Sequence, residues 1–80
     1  MTEILYTDGR REVIDDNPDL GRIQSIVGGT FEIVGSFGGG FDFMLVNDEG
    51  RLSGLPLNLN ASNIASQPIR GNVILTDTLK

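Results

Sequence analysis

The stretch DDNPDLGRIQSIVGG, residues 15–29, decides the fold class because it predicts one short helix among strands. Asn17 can cap this helix and Pro18 suits its first position, with an acidic residue following near the positive end of the dipole. Apolar residues then recur at helical spacing, at Leu20, Ile23, Ile26 and Val27. Gly28 ends the helix, because glycine adopts the left-handed conformation without a steric penalty. The sequence therefore predicts an amphipathic helix over residues 18–27.

Strand-forming segments lie on both sides of this helix. Upstream, residues 2–15 indicate a β-hairpin, in which Asp8-Gly9 fits the positive-φ positions of a type I′ turn. Downstream, further strand segments are predicted over residues 30–34, 41–46, 51–53 (a short return) and 71–76. The connections between them are a glycine-rich mobile loop over 35–40, a turn over 47–50, and a helical turn or irregular segment over 61–66.

The order of these elements defines the expected architecture. It is β-β-α-β-β-β, hence an α+β fold with a mainly antiparallel sheet and one short amphipathic helix. A chain of 80 residues corresponds to one small domain, residues 1–80, without a linker or an internal repeat.

The composition excludes several kinds of chemistry. The chain has no His, Cys or Trp, which rules out imidazole bases, thiol nucleophiles, Cys/His zinc sites and disulfides. Six basic and eleven acidic residues give a net charge of −5, the wrong sign for binding nucleic acid directly. We therefore expect a protein that is not an enzyme, with no catalytic residue, no metal site and no cofactor.

Size and hydropathy lead to expectations about oligomeric state and cellular location. A domain this small buries a modest fraction of its surface, and without disulfides or metals we expect it to gain stability as a homo-oligomer. No apolar run approaches the roughly 18 residues of a membrane span, and the first residues, Met-Thr-Glu-Ile-Leu, lack a secretory signal. A cytoplasmic location without membrane contact is the expectation.

Three patterns resemble ligand sites but lack essential parts. Asp15-x-Asn17-x-Asp19 opens like a calcium loop, yet the glycine and glutamate that such a loop needs are missing. Residues 35–40 are rich in glycine like a phosphate loop, yet no lysine and no helix follow. Asp48 and Glu49 are neighbours on a turn, not two carboxylates facing each other across a cleft.

Arginine use is the first feature that points to a ligand. Five of the six basic residues are arginine, whose guanidinium binds phosphate and carboxylate in two-pronged fashion and stacks on nucleobases. Arg70, where a loop meets the last strand, is the first candidate for an anion site, and Arg51 is the second. The alternative is that the arginines pair with nearby surface acids such as Glu12 or Glu49.

Asparagines and two phenylalanines complete the candidate ligand-binding set. Asn58 and Asn60 carry amides that can read the polar edges of a base or sugar, although asparagine also serves in turns and caps. Phe37 and Phe41 flank the glycine loop, where they can stack on a ligand or mark an interface.

An ordered set of short motifs carries a family resemblance. The motifs are Val27-Gly28-Gly29, Glu32, Val46-Asn47-Asp48-Glu49-Gly50, Gly54-Leu55-Pro56 with Asn58, and Gly71. Over residues 3–76 the chain resembles a family of small domains of unknown function common in bacteriophage and mobile-element genomes. It departs from that pattern by the glycine insertion at 38–40 and by a short, asparagine-rich segment over 57–63.

The resemblance implies a phage or prophage origin and an accessory role, and it supplies no activity. Proteins of this size and origin often counter host defence, either by sequestering a small signalling molecule or by binding a host protein. The leading expectation is therefore a non-enzymatic protein that sequesters a small nucleotide-derived ligand. The alternative is an acidic interaction module that inhibits a host protein, steered onto it by the net negative charge.

Overall fold

A computed structural model describes residues 2–14, 18–35, 43–49 and 54–76 of the chain. Within these residues, five strands form one antiparallel sheet in the order β2-β1-β5-β4-β3, accompanied by two short helices. The elements are β1 (Thr2–Leu5), β2 (Arg11–Ile14), α1 (Leu20–Val27), β3 (Phe31–Gly35), β4 (Phe43–Asn47), α2 (Leu59–Ala65) and β5 (Val73–Thr76). The predicted α+β class with an antiparallel sheet is confirmed, and α2 adds a second helix to the one predicted.

The strand latest in the sequence occupies the centre of the sheet. Ile74 of β5 pairs with Ile4 of β1 on one side and with Leu45 of β4 on the other. Val73, Ile74 and Leu75 are buried, as expected for a strand with neighbours on both sides and helices on both faces. The predicted strand over 71–76 is confirmed, and it is the element that joins the two hairpins.

Alternation along the strands divides the core into two layers. On the face covered by α2, here called the α2 face, the buried residues are Leu5, Met44, Val46, Ala61, Ile69, Val73 and Leu75. On the opposite face, the α1 face, they are Ile4, Val27, Leu45 and Ile74. A sheet with a helix on each side explains why so short a chain buries both faces of its central strands.

The first hairpin closes with a different turn from the one predicted. Leu5 pairs with Arg11, and the Tyr6 N–H donates to the Arg10 carbonyl at 2.9 Å, so three residues form the loop. Gly9 has φ +94°, whereas Asp8 keeps a negative φ, so the type I′ prediction was wrong. The loop is a type I turn followed by a left-handed glycine, the usual geometry of three-residue hairpin loops. The Arg10 N–H lowers the pKa of the Asp8 carboxyl, to which it donates at 3.0 Å.

Helix α1 begins two residues later than the sequence predicts. Its N-cap is Asp19, whose Oδ1 accepts the Arg22 N–H at 2.8 Å, so the assignment of that role to Asn17 was wrong. Asp19 lies three residues before a first-turn N–H that has no partner within the helix. Its carboxylate accepts a hydrogen bond from that N–H and also interacts favourably with the positive end of the helix dipole. The predicted end is confirmed: Gly28 has φ +91°, and its N–H donates to the Gln24 carbonyl.

The other predicted boundaries shift by one or two residues. β3 begins and ends one residue after the predicted strand over 30–34, and β4 covers the later part of the predicted 41–46. The segment over 61–66, open between helix and irregular structure, belongs to α2. The glycine loop beyond residue 35 and the short return over 51–53 lie outside the described residues.

Asn58 holds three parts of the fold together. It is fully buried, and its Nδ2 donates to the Leu5 carbonyl at 3.0 Å and to the Gly71 carbonyl at 2.9 Å. Its Oδ1 accepts the Ala61 N–H at 3.1 Å and caps α2. One amide thus links the end of β1, the start of α2 and the approach to β5.

We predict that Asn58→Ala lowers the free energy of unfolding by about 2–4 kcal/mol. The substitution leaves two carbonyls and one helix N–H without partners inside the protein. Urea denaturation followed by circular dichroism measures the change. Asn63→Ala is the matched control, since Asn63 is exposed in the same helix and should change stability by less than about 0.5 kcal/mol. Equal effects of the two substitutions would contradict the role given to Asn58.

A pair of glycine substitutions in and after α1 should act in opposite directions. Gly28→Ala should destabilise by about 1–2 kcal/mol, because alanine is strained at φ +91°. A Cβ there would meet Asn47 only at an ordinary 3.7 Å, so the cost is in the backbone. Gly21→Ala should stabilise by about 0.5–1 kcal/mol, since its Cβ would meet Asp19 at 3.7 Å in a regular helix. Thermal unfolding of both variants checks the signs.

Candidate functional site

A groove of about 860 Å³ opens on the α2 face of the sheet, beside β3 and β4. Strand residues line it from below: Glu32, Val34 and Val46. The segment that follows α2, residues 67–70, lines one side. The turn after β4 closes one end with Asn47, Asp48 and Glu49. This volume lies within the usual range of small-molecule and peptide-side-chain pockets.

Hydrogen bonds to the start of α2 hold the side of the groove in place. The Ile69 N–H donates to Ser62 Oγ at 2.8 Å, and the Ile69 carbonyl accepts the Asn58 N–H at 2.8 Å. The next residue, Arg70, pairs with Leu57 across an isolated β-bridge. Ile69 is buried in the core of the α2 face. The segment that carries Gln67, Pro68 and Arg70 is therefore anchored on both the polar and the apolar side.

The turn at the end of the groove is fixed by side-chain hydrogen bonds. Asn47 Oδ1 accepts the Glu49 N–H at 2.7 Å, and Asn47 Nδ2 donates to the Val27 carbonyl at 3.0 Å. Asp48 Oδ1 accepts the Thr30 hydroxyl proton at 2.6 Å. An asparagine that bonds to the backbone two residues on is a common turn device, so this end of the groove is pre-formed.

The charges of the groove are mostly negative. Among its described lining residues, three carboxylates, Glu32, Asp48 and Glu49, stand against one cation, Arg70, which leaves a balance of −2 for that part of the lining. Within the described part of the chain, Glu32 and Glu49 make no ion pair. No group of three or more acidic side chains among those residues is arranged to hold a metal ion. Two of the carboxylates, Asp48 and Glu49, belong to the turn at the end of the groove, and Glu32 belongs to β3.

Of the three predicted site residues that the structure describes, Arg70 is the one that lines this groove. Its Nη1 donates to the Leu55 carbonyl at 3.1 Å, and its side chain is exposed. The described residues offer it no carboxylate partner, unlike Arg10, which bonds to Asp8 at 2.7 Å, and Arg11. The guanidinium of Arg70 therefore keeps donors that nothing in the described chain uses.

The two asparagines of the predicted set, Asn58 and Asn60, do not line the groove beside Arg70. The amide of Asn58 is buried and spent on the fold, and Asn60 is half-buried in α2 away from the groove lining. Arg51, Phe37 and Phe41 lie outside the described residues. The alternative, pairing of arginines with nearby acids, holds for Arg10 and Arg11, but the partners are Asp8 and Glu3, each at 2.7 Å, and not Glu12 or Glu49. The hydrogen bond to Glu3 raises the pKa of Arg11.

Sequence reasoning missed the carboxylates of the groove. Asp48 and Glu49 read as an exposed turn, yet they lie at the end of a concave surface. Glu32 carried the one available signal, since alternation places it on the same face as Val34, which packs toward the core. The groove itself depends on where the segment after α2 runs, which no local pattern encodes.

These features define a small α+β domain with one helix on each face of an antiparallel sheet and an acidic groove beside one sheet edge. The chain belongs to the family described as a domain of unknown function, DUF3846, which matches residues 1–80. The expected membership of a family of unknown function is confirmed. No curated protein and no solved structure gives a significant match. Neither helix within the described residues is long and apolar enough to cross a membrane.

Proposed function

We propose that this protein is a non-enzymatic interaction module whose acidic groove receives a basic segment of a partner protein. The observation that carries the proposal is the surplus of carboxylates over cations among the described residues that line the groove. Lysine and arginine side chains find complementary charge there, and their aliphatic stems find Val34 and Val46.

The charge of the whole protein supports the same kind of partner. A net charge of −5 on 80 residues attracts a basic surface over distances of about one Debye length and raises the rate of encounter. Glu32 and Glu49 have no cation to give up within the described residues, so a ligand cation would not compete with an existing ion pair.

The family resemblance gives this proposal its biological form. A phage or mobile-element origin would make the partner a host protein, and inhibition of that protein would counter host defence in the host cytoplasm. Many nucleic-acid-binding proteins have the basic surfaces that an acidic module can occupy. The accessory role therefore follows from blocking a site, not from chemistry.

We predict that a capped peptide of alternating lysine and valine binds the protein and that Glu32→Gln with Glu49→Gln weakens binding about tenfold or more. Two lost charge contacts account for a change of this size. Isothermal titration calorimetry measures the affinity, which should also fall steeply with added salt. Glu12→Gln is the control, since it removes one charge outside the groove lining, and it should leave the affinity nearly unchanged. Equal weakening by all three changes would indicate general charge attraction and contradict the groove.

A second candidate function rests on Arg70. Its guanidinium lies on the groove and donates to a carbonyl. It can therefore bind a phosphate or carboxylate without breaking an ion pair of the described chain. This favours sequestration of a small nucleotide-derived ligand, the leading expectation from the sequence. A homo-oligomer would help, because a site between protomers can enclose a ligand that one small chain cannot bury.

We predict for this second function that native mass spectrometry of the purified protein finds a releasable adduct of a few hundred daltons. Arg70→Ala should abolish retention of the adduct while the far-ultraviolet circular dichroism stays that of the wild type. Arg22→Ala, an exposed arginine of α1, is the control and should retain it. A bare protein, or an adduct held equally by both variants, would exclude Arg70 as the anion site.

A further inference from the structure

The outer edge of β3 is the feature of the groove region that the proposed function has not used. β3 is the terminal strand of the sheet, and within the described residues its one neighbour is β4. The groove and this edge share residues, since Glu32 and Val34 belong to β3 and line the groove. A ligand in the groove is therefore also beside an unpaired strand edge.

The alternation of hydrogen-bonded and non-hydrogen-bonded pairs between β3 and β4 shows which backbone groups of β3 face outward. The Asp48 N–H donates to the Thr30 carbonyl at 3.2 Å, so Thr30 and Asp48 form a hydrogen-bonded pair. Bonded and non-bonded pairs alternate along an antiparallel ladder, so Glu32 and Val34 also bond toward β4. The N–H and C=O groups of Phe31, Ile33 and Gly35 then point away from the sheet. They form a ready template for another strand.

Side chains beside this template suit a particular kind of segment. On the groove side, a strand added next to β3 places alternate side chains about 5 Å from Glu32 and Val34. On the opposite side, its other residues lie next to Ile33, which is 51% exposed on the α1 face. Basic residues match the first side and apolar residues the second. The template therefore fits an extended segment in which basic and apolar residues alternate.

The other edge of the sheet is less suited to such a segment. The Tyr6 N–H bonds to the Arg10 carbonyl, and by the same alternation the outward groups of β2 belong to Arg11 and Val13. Arg11 is bonded to Glu3 at 2.7 Å, and the carboxylate of β2, Glu12, already accepts the Tyr6 hydroxyl at 2.8 Å. The edge of β3 is favoured because Glu32 has no such partner among the described residues.

We infer that the basic segment of the partner protein binds as an additional β-strand on the outer edge of β3, which no other described strand occupies, with its basic side chains on the groove side. The inference rests on the proposed function and specifies how the partner is held. Backbone hydrogen bonds to Phe31, Ile33 and Gly35 contribute affinity, and Glu32 with the turn carboxylates contributes selectivity.

The test uses two methylated forms of the lysine–valine peptide. One carries N-methyl groups on all lysine amides and the other on all valine amides. A strand uses every second amide for its neighbour, so one form should lose binding at least about tenfold and the other should bind like the unmethylated peptide. Isothermal titration calorimetry gives the three affinities.

Substitutions at Ile33 test the same contact from the side of the protein. Ile33→Pro removes an N–H that points away from β4 and has no partner among the described residues, and edge strands tolerate proline at such positions. The domain should therefore stay folded and lose the peptide. Ile33→Thr keeps the N–H and should keep the affinity within about threefold. The ¹H–¹⁵N NMR spectrum of the backbone amides of each variant reports whether the sheet is intact.

The outcomes separate the inference from the function on which it rests. Binding that Glu32→Gln weakens but neither methylated form changes would overturn the added strand and leave the acidic groove standing. Absence of binding by the unmethylated peptide would overturn the proposed function itself. A wild-type dimer that Ile33→Pro converts to a monomer would assign this edge to a second copy of the chain and overturn the inference.

Discussion

The buried amide of Asn58 is the interaction on which the rest of the structure depends. It joins the carbonyl of Leu5 at the end of β1, the carbonyl of Gly71 ahead of β5, and the first turn of α2. These groups are far apart in the sequence, and each would be an unsatisfied buried polar group without the amide. The same asparagine sets the direction in which the chain leaves α2 and returns along the groove.

One buried amide can affect the whole fold because few apolar residues cover each face of the sheet. Within the described residues, each face of the sheet is covered by a single helix of seven or eight residues. Burial is concentrated in the three central strands, while β2 and β3 leave Val13 and Ile33 more than half exposed. The outer strands are therefore the least covered part of the described sheet, and the groove lies beside one of them.

Most of the secondary structure could be predicted from local sequence signals, whereas features that depend on residues distant in sequence could not. The first hairpin, the end of α1 at Gly28 and the last strand follow from turn residues and from apolar runs that act over a few positions. The sequence predicted Asn17 as the N-cap, whereas the structure has Asp19, because both residue types can cap a helix. The choice between them depends on where the helix begins in the folded structure. The asparagine-rich segment before β5 was ambiguous for the same reason, since a cap and a recognition amide look alike in sequence. Arg70 was found through its residue type, whereas the carboxylates around it become neighbours only when the sheet has assembled.

The central place of β5 also has a consequence for synthesis on the ribosome. Both hairpins are made before residues 73–76 emerge, yet β1 and β4 can meet their shared neighbour only afterwards. Until then the nascent chain carries two additional open strand edges, each flanked by apolar residues that will later be buried. The last strand is therefore the element that protects both of these inner edges from pairing with other chains.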